Sequence, residues 1–459
     1  MAYVNDLSPL DAAFLYAEKS RAPMHVAGLQ IYDRSTAPGN VDAEAIVAKV
    51  GLRAPLIDCF HRKLMTTPLR LDHPHWVEDG AFRAERHVRS IKLPAPGSWA
   101  ELMAAVAGLL GQPLPRDRPL WEMVIITGLH GDGFPEDAFA VLTKLHHAAV
   151  DGVAGVGVTA ALHDLSPDPP AAERLPPRPE ATHVAPSMLA LSGWLKLMLR
   201  PLRFMATAPT LGQALGSLAA VRALPAPPTP LNRRISGART FDGLRVPLAV
   251  LQACRKIAPG AKINDVALTL IGGALRRYLS RHDALPDESL TALVPVSKHA
   301  AGTETDTGNQ INQITATLGT NVEDPACRMT LISARTREAK AAIAEVDQDG
   351  LMAAVELAPP ALVAAVLGSG VFAPPRLVNT VVTNVKGPPL PLYLCGAKLT
   401  HVFCAGPIAD GLALFHTVLS YCDEFTVSVL ACPERVPDLD FYMLCLRDEL
   451  EVMKAAVGP

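Results

Sequence analysis

The chain of 459 residues is short of charge, with 19% charged residues against 49% hydrophobic ones. Its 42 lysines and arginines nearly cancel 45 aspartates and glutamates, which leaves a formal net charge of −3. A general nucleic-acid binder presents a basic footprint, and none exists here. The eight cysteines (Cys59, Cys254, Cys327, Cys395, Cys404, Cys422, Cys432 and Cys445) include no C-x-x-C pair. That speaks against a structural zinc site and a disulfide framework and suits a reducing cytosol. Long apolar runs are missing too. The most apolar window, Met188–Ala206, is broken by Lys196, Arg200, Pro201 and Arg203, whereas a spanning helix wants about 20 residues with few or no charges. The N-terminus, MAYVNDLSPLDAAFLY, has no basic lead and is interrupted by Asp6 and Asp11, unlike a signal peptide. Neither a G-x-S-x-G elbow nor a Walker A loop occurs.

What is present is apolar enough to fold and long enough for two or three domains. Trp121–Leu129 and Ala138–His146 read as strands, from their β-branched and aromatic residues and the turn signals around them. A helix is expected from about Gly152 to Leu165. Asp164–Pro179 is a Pro-rich linker, followed by a helical middle and a second Pro cluster at Leu224–Pro230. Ile263–Arg281 has the spacing of a long helix, with Asn264 as its expected cap. Ser289–Val296, Thr380–Val385 and Thr426–Ala431 read as strands, and a closing helix follows Pro437. Strands alternating with helices on both sides of a linker indicate an α/β chain in two halves. The expected division is 1–165, a linker and helical segment over 166–233, and 234–459.

The sharpest local feature is His146-His147-Ala148-Ala149-Val150-Asp151-Gly152, placed where a strand ends and a helix begins. Histidine titrates nearest neutrality and is the default general base for a hydroxyl. Asp151 suits the electropositive start of the following helix. Alternation along a strand lets only one of the two histidines face a cleft, so His146 is expected to be the packed one. The same H-x-x-x-D spacing occurs at His75–Asp79, inside a segment that alternates like a strand and has no helix after it. Adjacent histidines diverge, and no third ligand lies at a metal spacing nearby, so no metal is expected. Gly152, Gly155 and Gly157 stand in the order G-x-x-G-x-G, without an acidic residue at the ribose position. They suit a helix lying close to a sheet better than a dinucleotide.

HHAAVDG resembles the HHxxxDG signature of the bacterial wax ester synthase / acyl-CoA:diacylglycerol acyltransferase family. The resemblance extends to LSPLDAAFLYAEKSRAPMHVAGL, to DRPLW (Asp117–Trp121) and to AKINDVALTLIGGALRRYL (Ala261–Leu279). It continues in TNVKGPPLPLYLCGAKL and in GPIADGLALFHTVLSYCDEFTVSVLACPERVPDLD, all in the family's order. It implies two chloramphenicol-acetyltransferase-like halves with an active-site tunnel at their interface. The implied activity transfers a long acyl group from acyl-CoA to diacylglycerol, with a fatty alcohol as second acceptor. Acyl-CoA is then substrate, and no cofactor is implied.

By the same resemblance His147 is the base, and Asp151 supports the motif together with His146 and Gly152. Asn264 and Asp265 match a site-supporting Asn-Asp pair. Thr383 stands where the family's Ser stands and keeps a hydroxyl for the oxyanion. Two departures are Lys386 for a commoner Pro and Lys298-His299 for a commoner Leu-Arg pair. A condensation-type acyltransferase acting on a polyketide or other non-glyceride alcohol, and a catalytically silent lipid-droplet protein, are the alternative readings.

The middle segment suggests how a water-insoluble acceptor is met. At about 100° per residue, Met188, Leu191, Leu195, Met198, Leu202 and Met205 share one face, and Lys196, Arg200 and Arg203 cluster on another. Trp194 borders the stripe. This pattern fits a helix lying on a membrane or lipid droplet and equally one packed on the body of the protein. The expectation is a cytoplasmic protein peripherally bound to the inner membrane face or to lipid droplets.

Overall fold

A computed structural model describes residues 5–67, 71–150, 152–169, 187–199, 226–297, 311–344, 360–369 and 378–457. Two six-stranded mixed sheets carry the fold. In the first, β2 (His25–Asp33), β5 (Val88–Lys92), β6 (Trp121–Thr127) and β7 (Ala138–His146) come from the N-terminal part of the chain. It is completed by β12 (Tyr393–Leu394) and β13 (Ala397–Ala405), in the order β12-β13-β2-β7-β6-β5. The second sheet contains β8 (Thr240–Pro247), β9 (Thr291–Ser297), β10 (Ile311–Thr317), β11 (Thr380–Lys386), β14 (Leu414–Tyr421) and β15 (Glu424–Ala431). Their order is β10-β9-β11-β14-β15-β8. A small third sheet sets β4 (His75–Glu78) between β1 (Asn5–Asp6) and β3 (Arg62–Met65).

Burial explains why β7 was legible. All nine of its residues are buried, as expected of a central strand covered on both faces, with Thr143, Lys144 and His146 taken in among the apolar side chains. Ala138, Ala140 and Leu142 point into the core that holds Leu102, Val106 and Leu110 of the Trp99–Leu110 helix. Phe241, Phe403 and Phe415 lie in that same core, so it joins the two sheets. Phe139, Val141 and Leu145 point the other way, into a core with Trp121, Phe60 and Val158.

The halves are interleaved. β13 follows β11 in the chain, yet it pairs antiparallel with β2 from Lys398↔Asp33 to Ala405↔Ala27. Its outer contacts return to the second sheet: Thr426 Oγ1 donates to Val402 O at 2.8 Å, and Cys404 N–H donates to Ser428 Oγ at 3.2 Å. At Gly243 on β8, a Cβ would fall 2.4 Å from a ring carbon of Phe403, so only glycine lets the strands approach this closely.

The Ile263–Arg281 helix lies against the closing Leu439–Val457 helix and the Pro325–Ala344 helix. Asn264 is not its cap. Lys262 holds that position, and the Asp265 carboxylate accepts the Lys262 N–H at 2.9 Å. A residue one turn deeper therefore closes the helix start, as glutamate does in a capping box. A Cβ on Gly272 would meet Leu318 O at 1.9 Å, so this helix touches the backbone of its neighbour.

Candidate active site

β7 ends at His146, and the chain then turns sharply. His146 N–H donates to Leu120 O at 2.9 Å, His147 N–H to Met24 O at 2.8 Å, and Ala149 N–H to His146 O at 2.8 Å. Strand alternation sends the two histidines apart. His146 is 1% exposed, while His147 is half-buried. The His146 Nδ1 accepts the Ala148 N–H at 3.1 Å. In the neutral ring that places the proton on Nε2, which faces Glu18 Oε1 at 3.4 Å.

The His147 ring stacks flat on Phe14, with centroids 3.9 Å apart and planes 7° from parallel. Phe14 belongs to the Pro9–Ala17 helix, whose start is fixed by Ser8 Oγ accepting the Asp11 N–H at 3.0 Å and by Pro9 in its first turn. This helix packs on the Pro360–Ser369 helix from the other part of the chain. His147 therefore lies beside the contact between the Pro9–Ala17 and Pro360–Ser369 helices.

The ground beneath the histidines is strongly polar for a buried region. Burial opposes ionisation of Glu18, but His146, Arg116 and the Met24 N–H outweigh it and bring its carboxyl down to about 2. His25 pairs with His146 across β2 and β7. Burial, reinforced by Lys144 and His146, pushes its imidazole down to about 3. Lys144 is fully buried and donates to Leu109 O at 2.9 Å and Gln112 O at 2.8 Å. Burial lowers its pKa, with Glu122 acting in the opposite direction.

The other expected residues fall as follows. Asp151 lies outside the described residues, and Gly152 is the first residue of the Gly152–Leu162 helix. Thr383 sits half-buried on β11, with its Oγ1 3.5 Å from His416 O. Asn264 Nδ2 is buried and makes no hydrogen bond among the described residues. Asp265 is buried and engaged at the helix start. Lys298 and His299 lie outside the described residues. His75 is 1% exposed within the small sheet, and the Asp79 of its spacing pairs with Lys63 at 2.8 Å. Among the described residues, no group of three or more His, Cys, Asp or Glu is placed to hold a metal. Glu18 and Phe14 escaped the sequence reading as site residues, because nothing local to them marks what they touch at the end of β7.

Comparison with known proteins agrees with this architecture. The wax ester synthase/diacylglycerol acyltransferase catalytic domain matches residues 7–267, and the WS/DGAT C-terminal domain matches residues 307–454. A Mycobacterium tuberculosis protein provisionally named a diacylglycerol O-acyltransferase is 34% identical over 95% of this chain and 88% of its own length. The O-acyltransferase WSD of Acinetobacter baylyi is 30% identical over 98% of this chain and 97% of its own. Among solved structures, the wax ester synthase/diacylglycerol acyltransferase of Marinobacter aquaeolei superposes with a TM-score of 0.71 at 30% identity, covering 99% of this chain and 100% of that one. The starter condensation domain of rhizomide synthetase shares the fold, with a TM-score of 0.57 at 13% identity over 99% and 95% of the two chains. The chain belongs to the wax ester synthase/diacylglycerol acyltransferase family.

Proposed function

We propose that this protein transfers a long-chain acyl group from acyl-CoA to the hydroxyl of diacylglycerol, and to a fatty alcohol as second acceptor. His147 takes the acceptor hydroxyl proton as the oxygen attacks the thioester carbonyl carbon. The C–S bond then breaks, and the same imidazole returns the proton to the leaving CoA thiolate. No acyl-enzyme is required when both substrates reach the ring together. The observation that carries this reading is the asymmetry of the histidine pair. His146 is buried with its Nδ1 accepting the Ala148 N–H, while His147 is half-buried and stacks on Phe14 of the first helix, which packs on the Pro360–Ser369 helix. Thr383 serves as oxyanion donor, and Asp151 and Gly152 serve as supporting residues of the motif.

The second element of the proposal is peripheral attachment to a membrane or lipid-droplet surface. No described helix is long and apolar enough to cross a membrane. Over 187–199 the chain is helical, with Leu189 buried and Gly193 pressed against Leu71 and Asp72. Met188, Leu191, Trp194, Leu195, Met198 and Leu199 are all exposed. Large apolar side chains gathered on an exposed face mark an interaction surface, and lipid is the surface a water-insoluble acceptor demands. Lys196 pairs with Asp72 at 2.7 Å and so ties the helix to the body. Leu202, Met205, Arg200 and Arg203 lie outside the described residues.

Turnover of radiolabelled acyl-CoA with diacylglycerol, with hexadecanol and without acceptor tests the reaction. Label should move into triacylglycerol and, more slowly, into wax ester. Label appearing only as free fatty acid, or not moving at all, would refute it.

A further inference from the structure

We infer that Glu18 is the residue that positions His147 for proton transfer, an inference that rests on His147 acting as the base. Glu18 lies just past the Pro9–Ala17 helix, and its side chain is 7% exposed. One carboxylate engages three separate supports of the catalytic ring. Oε1 accepts the Met24 N–H at 3.1 Å, and the Met24 carbonyl in turn accepts the His147 N–H at 2.8 Å. The same Oε1 faces the His146 Nε2 at 3.4 Å, on the residue immediately before the base. Oε2 accepts from Arg116 Nε at 3.2 Å and pairs with its terminal nitrogen. Arg116 also donates to Leu15 O at 3.1 Å, directly beside the Phe14 that stacks on the His147 ring.

The backbone of His147, the ring of its neighbour and the plate beneath its own ring therefore converge on Glu18. A carboxylate is the side chain suited to this task. Ionised, it only accepts, with two oxygens and about four lone-pair directions, and every group facing it here is a donor. Its low pKa, near 2, keeps it in that acceptor form across the neutral range. A glutamine has one acceptor oxygen. It can serve Met24 or Arg116 but not both, and its amide hydrogens then confront a donor. Because Glu18 touches no reacting atom, its effect must pass through His147.

The test uses the full chain with radiolabelled palmitoyl-CoA and hexadecanol, in Glu18→Ala, Glu18→Gln, His147→Ala and the double variant Glu18→Gln/His147→Ala. Misplacing a catalytic group by about 1 Å costs up to about 10²-fold in rate, so Glu18→Ala should lose about that in kcat and Glu18→Gln roughly 10-fold. The KM for palmitoyl-CoA should stay within about twofold in both, since a residue that positions the base acts on the chemical step and not on ground-state binding. In the His147→Ala background, Glu18→Gln should add no further loss, because a residue that works through another has nothing left to position. If Glu18→Ala fails to fold, Glu18→Gln carries the test under the same criteria. A folded Glu18 variant with wild-type kcat beside an inactive His147→Ala would overturn the positioning role alone. A full further loss in the double variant would overturn it as well. Wild-type turnover by His147→Ala would overturn the base assignment and this inference together.

Discussion

At the scale of single residues, two hydroxyl and imidazole groups separate chemistry from packing. Thr383 is half-buried on a strand, with its Oγ1 at the outer limit of hydrogen-bond distance from His416 O. In the proposed role this hydroxyl turns toward the developing oxyanion. Loss of one such donor costs on the order of 10²–10³ in the chemical step. Thr383→Val keeps the branched shape that suits β11 and should lower kcat by that factor while acyl-CoA binding is unchanged. Thr383→Ser should be mild. Steady-state kinetics with separate binding measurements check this. Weakened binding with kcat intact would make Thr383 part of the substrate wall instead. His75 supplies the contrast. It shares the His–Asp spacing of His147 and Asp151 but is buried in the small sheet, and its replacement by alanine should leave turnover standing where His147→Ala removes it.

At the scale of elements, the 187–199 helix links local pattern to location. Its apolar stripe was visible in the sequence, but the same stripe fits a core helix, and periodicity does not say which side faces water. Tertiary placement decides. The exposed face carries Leu191, Leu195 and Met198, while the face around Gly193 meets the body. Replacing those three residues with Ser or Gln removes exposed apolar area, which under the proposed lipid attachment contributes roughly 25 cal/mol per Å² buried. The variant should therefore shift from vesicle pellet to supernatant in a cosedimentation assay and keep its activity on a short, water-soluble alcohol. Unfolding, or loss of activity on the soluble alcohol, would instead make the helix structural.

Other elements were legible for the same local reasons. β7 and the Ile263–Arg281 helix announce themselves by β-branched and aromatic residues between turn signals and by a helical period, and the structure reproduces both sets of bounds. The pairing of β13 with β2 was not legible. Nothing in AKLTHVFCA says that its partner lies near the other end of the chain. The same limit hid Glu18. Its identity was plain, but its meaning arises only when the first helix is laid beside the end of β7.

At the scale of the whole molecule, buried imidazoles tie stability to pH. His25 and His416 are held down to about 3 and His163 to about 4, each chiefly by burial. His416 is enclosed by Tyr442 Oη at 2.7 Å and Thr380 Oγ1 at 3.2 Å, and His163 by Tyr32 Oη at 2.7 Å. In the unfolded chain each protonates near pH 6.5, so below that value the unfolded state binds more protons and stability falls as the medium is acidified. The loss runs from about pH 6.5 down to pH 3–4. Glu18, with its depressed pKa, adds a loss of the same sign below about pH 4.5. Around pH 5 three such histidines contribute about 4 kcal/mol per pH unit. Urea unfolding at pH 7, 6 and 5 should show a slope that steepens toward this value, and His416→Gln should reduce it by about one third. A flat profile would mean that these rings are charged or solvated in the folded protein. The central claim is nevertheless chemical, that the His147 imidazole moves the proton in acyl transfer between CoA and a lipid alcohol. The direct measurement is the rate of radiolabelled palmitoyl transfer to diacylglycerol by folded His147→Ala and by the unaltered protein. The account predicts a loss of about 10²–10⁴-fold in the variant, with acyl-CoA binding retained, and an undiminished rate in the variant would contradict it.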